Sequence, residues 1–438
     1  MISRIEALNY RCLKYVDQPL ERFQVLVGPN ASGKSSFLDV VALLGDFVRD
    51  GLDEALLRNP RHPRGRATTV DELIFNQSAD RFELVVELRI PQKLRRPGNG
   101  NYERARYEVA LGKSEKNGEL VIAGETLWLC AAAGGKTPVV RPGSPQAAHP
   151  QSEFFPTEPA APDTLFTAPG RKKTPAGWRK VVNKVPESGN DYFQSETSKW
   201  DTLFRIGPRK AALAGLPQDP DHFAVAIWVR DLLVEGIHIL ALNSIAMRSP
   251  SSPSEPRTFR VDGSNLHLIV QDLGQHHPTV FQDWVGHIRT VLPDIQTINV
   301  IERPEDRHLY LAVQYASGRD PVPSWLLSDG TLRLLALTLL AYLPEHEGIY
   351  LIEEPENGVH PRAIEAVFQS LSSVYDGQVL IATHSPLILG LASREQILCF
   401  ARNPSGAVDV VTGYNHPRLR DWKGETDLGT LYASGVLG

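Results

Sequence analysis

The chain has little excess charge of either sign and very few cysteines. Its 46 basic and 51 acidic side chains leave a formal net charge of −5 over 438 residues, so no global basic field marks it as a nucleic-acid-binding protein. Cys12, Cys130 and Cys399 lie far apart and have none of the spacings of zinc ligands. A small, odd number of cysteines argues against a disulfide framework and is typical of a reducing compartment.

The sequence also lacks long apolar runs. No apolar stretch approaches the roughly 20 residues of a membrane-spanning helix, and the N-terminal residues lack the apolar segment of a signal peptide. We find no internal repeat and no sustained heptad pattern, which excludes a solenoid and a long coiled coil. With 42% hydrophobic residues the chain can bury a substantial core. We therefore expect a cytoplasmic globular protein of two or three domains with no membrane partner.

A glycine-rich loop is the most informative segment that is present. Residues 28–36 read GPNASGKSS and contain the pattern GxxxxGK[ST], between the apolar run Val25-Leu26-Val27 and a helical pattern. A strand, a loop and a helix N-terminus in this order let backbone N–H groups surround phosphates. The residues predicted to bind the nucleotide here are Gly28, Pro29, Asn30, Ala31, Ser32, Gly33, Lys34, Ser35 and Ser36.

Two side chains of this loop have more specific predicted roles. Lys34 is expected to reach the β- and γ-phosphates, and the Ser35 hydroxyl is expected to ligate Mg²⁺. The sequence therefore predicts binding of a nucleoside triphosphate, ATP, together with Mg²⁺.

The remaining patterns predict an α/β fold. Residues 1–27 indicate a strand, a turn near residues 17–19 and a second strand that leads into the loop. The proline-rich range 131–186 is incompatible with a regular core element and favours a long loop or a partly ordered insertion. The last third alternates between helix and strand, which is typical of a parallel sheet covered by helices. Its predicted elements are helix 330–343, strand 348–352, helix 361–375 and strand 378–382.

Glu353 and Glu354 follow the apolar run 348–352 directly. In a phosphate-loop ATPase the strand beside the loop ends in an acid that holds Mg²⁺, and the next acid can activate the attacking water. We therefore predict that this strand lies beside the loop strand, with Glu353 as the metal ligand and Glu354 as the general base.

Two further segments are candidates for the same site. Thr383-His384-Ser385 follows strand 378–382, at the sheet edge where open α/β sheets bind ligands, so His384 is predicted to contact and sense the γ-phosphate. Ser328 or Asp329 begins a helical pattern and is suited to cap it. A helix N-terminus that opens with a small polar residue is equally suited to receive a phosphate, and both interpretations stay open.

Taken together and in this order, GPNASGKSS, LSDGT, IYLIEEPENGVHP and ATHSP resemble the ABC-type ATPase superfamily. The similarity is strongest to its RecF/SMC-like branch, and within it to the bacterial predicted ATPases called AAA_21-like. The opening residues 9–14 and residues 262–266 are similar to that branch as well. The resemblance implies an α/β P-loop NTPase, an ABC-type ATPase head with a parallel-sheet core, an N-terminal antiparallel hairpin subdomain and an inserted lobe.

The resemblance also implies a head that works as a dimer or in a higher homo-oligomer. ATP would lie between the phosphate loop of one subunit and Ser328 and Gly330 of the other. Lys34, Glu354 and His384 would be the catalytic residues, with Ser35 and Glu353 on Mg²⁺. Lys34 and Glu353 are separated by 319 residues, more than a compact nucleotide-binding core needs, so we expect an inserted lobe, at roughly 115–290, that carries partner specificity. The expected domain limits are an N-terminal part of the ATPase core at 1–115, a proline-rich inserted lobe at 116–235 and a C-terminal part of the core at 236–438.

The sequence departs from the family pattern in three places. Glu353 replaces the usual aspartate, and Asp329-Gly330-Thr331 replaces Gly-Gly-Gln. An acid beside a phosphate is unfavourable unless it points away or caps the helix. The glutamine that completes the Mg²⁺ shell has no clear counterpart, and Gln77 is the candidate.

We expect the ATPase to serve nucleic-acid maintenance or anti-phage defence. The similar overcoming-lysogenization-defect nucleases carry a C-terminal TOPRIM domain, for which too few residues follow His384, so a nuclease effector would be a separate chain. The alternatives are the ATPase subunit of a membrane transporter and a scaffold whose assembly ATP controls without turnover. Nucleic acid is a candidate partner, through three basic clusters: Arg58, Arg61, Arg64 and Arg66; Lys93, Arg95 and Arg96; and Arg171, Lys172, Lys173, Trp178, Arg179 and Lys180.

Overall fold

The computed structural model describes residues 1–57, 66–95, 102–114, 118–131, 160–168, 174–185, 191–318, 320–344, 347–419, 422, 424 and 426–437. The strands within these ranges are β1 (Ile2–Tyr10), β2 (Leu13–Pro19), β3 (Phe23–Val27), β4 (Arg81–Arg89), β5 (Tyr102–Lys113), β6 (Leu120–Ala131), β7 (Trp178–Lys184), β8 (Tyr192–Gln194), β9 (Asp201–Leu203), β10 (Ile237–Leu240), β11 (Ile295–Glu302), β12 (Leu309–Tyr315), β13 (Val322–Pro323), β14 (Ile349–Glu353), β15 (Gln378–Thr383), β16 (Ile397–Arg402) and β17 (Val408–Thr412).

The α-helices of the same ranges are α1 (Lys34–Asp50), α2 (Leu52–Leu56), α3 (Pro220–Glu235), α4 (Ser244–Arg248), α5 (Leu266–His276), α6 (Pro278–Val291), α7 (Asp329–Leu339), α8 (Ile364–Ser372), α9 (Pro386–Leu391) and α10 (Leu428–Ala433). The predicted alternation in the last third is confirmed by α7, β14, α8 and β15. No described helix is both long and apolar enough to cross a bilayer.

A six-stranded sheet positions the site. Its strand order is β10-β14-β15-β3-β16-β17, and all neighbours are parallel except the edge strand β17. Parallel strands end at the same edge, so the loops that follow β3, β14 and β15 meet there. The prediction that the strand before Glu353 and Glu354 lies directly beside the loop strand is wrong, because another strand separates them. β15, which carries Thr383, lies between β14 and β3, with Thr383 paired to Val27.

The two faces of this sheet are buried against different partners. Leu26, Leu351 and Leu380 point into a core shared with α1 and the antiparallel strands. Val25 and Ile381 point to the opposite face, into a core that includes residues of α5, α6, α7 and α8. Alternating burial on both faces explains why these strands read as nearly continuous apolar runs.

The second sheet is antiparallel and has eight strands in the order β2-β1-β4-β5-β6-β7-β8-β9. The predicted turn near residues 17–19 is wrong. The hairpin of β1 and β2 turns at Arg11-Cys12, with Tyr10 paired to Leu13, and residues 17–19 are the end of β2. The chain then crosses into the parallel sheet as β3. The alternating pattern of residues 1–27 did not distinguish two strands from three, because both sheets bury their apolar side chains in one core.

The range predicted to lack regular core elements also contains a strand. β7 pairs with β6 within it, and Val181 and Val182 are fully buried. Proline falls outside this strand, so nothing prevents it from joining the sheet. β5 and β6 pair across the limit at residue 115, and the domain limits stay predictions.

A buried charged cluster fastens residues 160–168 to the antiparallel sheet. The fully buried Arg106 forms ion pairs with Glu6, Glu87 and Glu108, and it also donates to the Leu165 carbonyl at 2.9 Å. Buried charges are tolerated when they are paired and hydrogen-bonded. The cluster therefore fixes this segment to the sheet through polar contacts.

Candidate nucleotide-binding site

The glycine-rich loop connects β3 to α1 as the sequence predicts. Gly33 is the N-terminal cap of α1 and has φ 98°, in the left-handed region that favours glycine. Lys34 Nζ donates to the carbonyl oxygens of Gly28 at 2.7 Å and Pro29 at 3.0 Å. The ammonium therefore lies inside the curve of the loop. Burial lowers its pKa, although the nearby Glu353 and Glu354 act in the opposite direction.

The loop fits a phosphate. The Ser32 hydroxyl is buried and has no hydrogen-bond partner in the described part of the chain. A buried polar group without a partner costs free energy, and a phosphate oxygen within the loop would supply one. The first N–H groups of α1 lack acceptors within the helix for the same reason as in any α-helix, which adds donors at the same place.

A cavity of about 200 Å³ opens over the loop. It combines the loop with residues from four other places in the sequence. It is lined by Cys12, Asn30, Ala31, Ser32, Gly33, Lys34, Ser35, Ser36, Glu353, Glu354, Ala382, His384 and Arg402. The structure thus brings together the predicted phosphate loop, both predicted acids and the predicted sensor histidine.

Glu354 and His384 are in direct contact within this cavity. His384 Nδ1 lies 3.2 Å from Glu354 Oε1, and the Asn357 side-chain amide donates to Glu354 Oε2. The Glu354 N–H donates to the Ala382 carbonyl at 2.8 Å, and Glu354 has φ 48°. An unusual backbone conformation, one backbone hydrogen bond and two side-chain contacts hold Glu354 at the end of β14.

Ser35 and Glu353 are suited to a magnesium ion that also binds phosphate. Both line the main cavity and a neighbouring one of about 260 Å³. Within the described ranges no group of three or more His, Cys, Asp or Glu side chains could hold a metal alone. Mg²⁺ bound to nucleotides commonly takes one or two protein ligands and completes its shell with phosphate and water, so a hydroxyl and a carboxylate are sufficient.

Gln77 lies outside this arrangement. Its side chain is exposed and lines neither cavity. It also has φ 52° in a short irregular turn. The structure therefore does not bring the candidate glutamine to the magnesium ligands.

Ser328 and Gly330 lie at the N-terminus of α7, away from the phosphate-loop cavity of the same chain. Ser328 Oγ accepts from the Thr331 N–H at 3.1 Å and so caps the helix. Asp329 forms an ion pair with Arg248 at 2.6 Å, which offsets the charge that the sequence places here. A Cβ added to Gly330 would lie only 2.6 Å from the Gly358 carbonyl oxygen. A glycine is thus required where α7 meets the loop after the acidic pair.

Sequence reasoning missed Glu356. Its Oε1 accepts from the Thr383 hydroxyl at 2.5 Å, and that hydroxyl in turn accepts from the Ser385 N–H at 2.9 Å. Its Oε2 is buried and has no partner in the residues that the structure describes. Burial raises the pKa of this carboxyl. The sequence could have indicated Glu356 as a third acid, two positions after Glu354. In the structure Glu356 connects the loop after β14 to the end of β15.

We expect Glu356→Gln to change how stability depends on pH. The folded pKa of Glu356 is raised above its ordinary 4.5, so the parent loses stability as pH rises from 4.5 to that higher value. Glutamine keeps the acceptor for Thr383 and does not ionise. The difference in melting temperature, variant minus parent, should therefore increase as the pH is raised from 4 to 7. An unchanged difference across this range would contradict the assignment, and Glu365→Gln on the exposed face of α8 is the control.

The described members of the predicted basic clusters are engaged within the protein. Arg66 forms buried ion pairs with Asp39 and Asp46, and Lys180 lies 4.6 Å from the centroid of the Trp128 ring. The other contacts are Lys93 with Glu347, Arg95 with the Ile90 carbonyl, Arg179 with the Ser195 and Ser198 carbonyls, and Trp178 with the Trp128 ring. Arg58, Arg61, Arg64, Arg96, Arg171, Lys172 and Lys173 lie outside the described residues.

The family model described as "AAA domain, putative AbiEii toxin, Type IV TA system" matches residues 97–390, well over half of the chain. The protein belongs to this AAA family. The matched range includes Glu354 and His384, whereas the phosphate loop precedes it. The AAA_21-like family and the α/β P-loop fold implied by the sequence motifs are confirmed. No curated protein matches this AAA protein.

The AAA protein is similar in fold to solved Smc head domains. The Smc head bound to the C-winged helix domain of ScpA is 15% identical, covers 94% of this chain and 97% of that one, and has a TM-score of 0.51. An Smc head from Pyrococcus furiosus bound to the C-terminal domain of ScpA is 13% identical, with 94% and 96% coverage and a TM-score of 0.48. The SMC head domain from Thermotoga maritima is 11% identical, with 94% and 98% coverage and a TM-score of 0.40.

Proposed function

We propose that this AAA protein hydrolyses ATP. The observation that carries the proposal is the contact of Glu354 with His384 in the cavity that contains Lys34. Glu354 accepts a proton from the attacking water, which adds to the γ-phosphorus as the bond to the β-phosphate oxygen breaks, and the products are ADP and inorganic phosphate. Lys34 exchanges its loop carbonyls for phosphate oxygens. Mg²⁺, held by Ser35 and Glu353, would neutralise phosphate charge when bound.

His384 completes this arrangement as the residue that senses the γ-phosphate. It follows β15, its Nδ1 contacts Glu354, and the residue lines the cavity over the phosphate loop. A hydrogen bond from the Nε2–H of a protonated His384 to the γ-phosphate would form with ATP and be lost with ADP. A shift of His384 after loss of that bond would be transmitted to the loop after β14 through the hydrogen bond between Thr383 and Glu356.

We also propose that two copies enclose two ATP molecules. The exposed N-terminus of α7 offers Ser328 and Gly330 outside the cavity of their own chain, so they are available to a second copy. Two large apolar side chains beside them, Trp325 at 45% and Leu326 at 69% exposure, support burial of this surface.

Turnover per subunit should therefore rise with protein concentration. ATP hydrolysis measured over a dilution series, with Glu354→Gln as the blank, tests this directly. A constant, nonzero rate per subunit would point to a monomeric site or to a dimer that forms before ATP binds. A rate equal to that of the blank would contradict hydrolysis by the isolated protein.

Ser328→Arg should separate dimer formation from nucleotide binding. A large charged side chain at the α7 N-terminus would be buried without a partner against the second copy, which costs several kcal/mol, so the ATP-dependent dimer should weaken by about 100-fold. Binding of ATP to the monomer should be unchanged, because Ser328 lies outside that cavity. Sedimentation with the non-hydrolysable analogue AMPPNP measures the dimer. Ser254→Arg in an exposed loop is the control, and full activity of Ser328→Arg would refute the enclosed-ATP arrangement.

For the physiological role we propose nucleic-acid maintenance or anti-phage defence with a separate effector protein, such as a nuclease. The family description names a putative toxin of a type IV toxin–antitoxin system, which supports a defence role. The Smc head seated on a ScpA domain is a precedent, in that protein, for a head that binds a second chain. Loss of DNA affinity with rising salt would support a nucleic-acid partner. Copurification with an integral membrane protein would favour the transporter alternative, and nucleotide-dependent assembly without turnover would favour the scaffold.

A further inference from the structure

Strand β16 flanks the phosphate-loop strand on the side away from the catalytic residues. It runs parallel to β3, with Ile397 paired to Val25 and Cys399 to Val27. Its next residue, Phe400, is so close to the loop that a Cβ on Gly28 would lie 2.4 Å from the Phe400 carbonyl oxygen. The end of β16 is therefore held against the beginning of the loop by backbone contact.

Arg402 is the last residue of β16 and enters the loop cavity from this side. It lines the cavity together with Asn30 and Lys34, and its side chain is exposed. Its backbone pairs with Val408 of β17, but its guanidinium has no hydrogen bond, ion pair or ring contact in the described part of the chain. The other cation of the cavity, Lys34, is held by the loop carbonyls. Arg402 is thus a guanidinium that a strand of the sheet places at the phosphate site and that no other described residue binds.

The sheet order indicates which part of the nucleotide this guanidinium would meet. Glu354 and His384 follow β14 and β15, on one side of β3, and they mark the γ-phosphate end under the proposed function. Arg402 comes from β16, on the other side of β3. The nucleotide must therefore extend from the γ-phosphate at the β15 side toward the nucleoside at the β16 side.

We propose that Arg402 binds the α-phosphate, at the nucleoside half of ATP and ADP alike. The inference rests on the proposed function. Arginine presents N–H donors in a planar fork that matches two phosphate oxygens. Glu353 and Glu354 oppose the charge of Lys34 in the same cavity, so a second cation offsets the excess negative charge that a nucleotide brings. Since the α-phosphate stays after hydrolysis, Arg402 retains ADP as well as ATP.

The test measures binding of ADP and of AMPPNP, each with Mg²⁺, by calorimetry. Arg402→Ala should weaken both by a similar factor, about 10- to 150-fold, because a hydrogen bond to a charged group contributes about 1.5–3 kcal/mol. Arg402→Lys should lie between the parent and Arg402→Ala, since it keeps the charge and loses the fork. Arg307→Ala, which changes an exposed arginine on the β11–β12 connection, is the control and should bind like the parent.

Three results would overturn the inference. Weaker binding of AMPPNP with unchanged ADP would place Arg402 at the γ-phosphate. Unchanged binding of both nucleotides, while the parent binds them, would remove Arg402 from the site and leave the proposed function standing. A parent that binds neither nucleotide would overturn the proposed function together with this inference.

Discussion

Glu354→Gln should lower the rate of ATP hydrolysis by about 100-fold or more while ATP still binds. A positioned general base contributes typically 10²- to 10⁴-fold to a rate, and glutamine cannot accept the proton of the attacking water. The backbone contact to Ala382 and the side-chain contact to Asn357 do not require the negative charge. We therefore expect the variant to accumulate in the ATP-bound, dimeric state, measured by phosphate release and by sedimentation with ATP.

The control for this variant is Glu365→Gln, the same change on an exposed helix position. It should hydrolyse ATP at the parent rate. If Glu354→Gln also hydrolyses ATP at the parent rate, Glu354 is not the general base and another group accepts the proton of the attacking water. Reduced turnover with lost ATP binding would instead show that the change disturbs the loop, since Lys34 lies beside this carboxylate.

Lys34→Ala should abolish detectable nucleotide binding at micromolar protein. Among the described residues that line the cavity, Lys34 is the only lysine. Hydrogen bonds to a charged partner contribute about 1.5–3 kcal/mol, so affinity should fall by about 10- to 150-fold. Stability should change little, because among the described residues the ammonium is hydrogen-bonded only to carbonyls of the loop itself. Calorimetry with AMPPNP and thermal melting measure the two effects.

Lys93→Ala is the matched control for this change. Its ammonium is exposed and forms an ion pair with Glu347, far from the loop, so nucleotide binding should be that of the parent. Binding of AMPPNP by Lys34→Ala with parental affinity would mean that the loop does not hold the phosphates. A strongly lowered melting temperature would mean that Lys34 supports the loop itself.

The site could be predicted from the sequence where local patterns define both structure and chemistry. The glycine-rich loop needs one strand, one turn and one helix, all contiguous, and Gly33 has the positive φ that such a turn requires. Glu354 and His384 each follow an apolar strand, and parallel strands bring their ends to one edge. That edge is where the structure places them.

Features set by strand order and by long-range contact could not be predicted in the same way. The position of β15 between β14 and β3 depends on packing across the sheet, which no local pattern records. β7 was hidden by the prolines around it. Glu356 and Arg402 matter through neighbours distant in sequence, Thr383 for one and the loop for the other. These contacts depend on the order of the strands in the folded sheet and cannot be inferred from local sequence.

Under the proposed function, the backbone conformation of Glu354 places catalytic activity and thermal stability in opposition. A non-glycine residue with φ 48° is strained by about 1 kcal/mol or more, and glycine or asparagine at this position would relieve that strain. Selection for thermal tolerance alone would therefore favour loss of the carboxylate, and natural or laboratory evolution toward a hotter environment would have to compensate elsewhere in the chain to retain turnover.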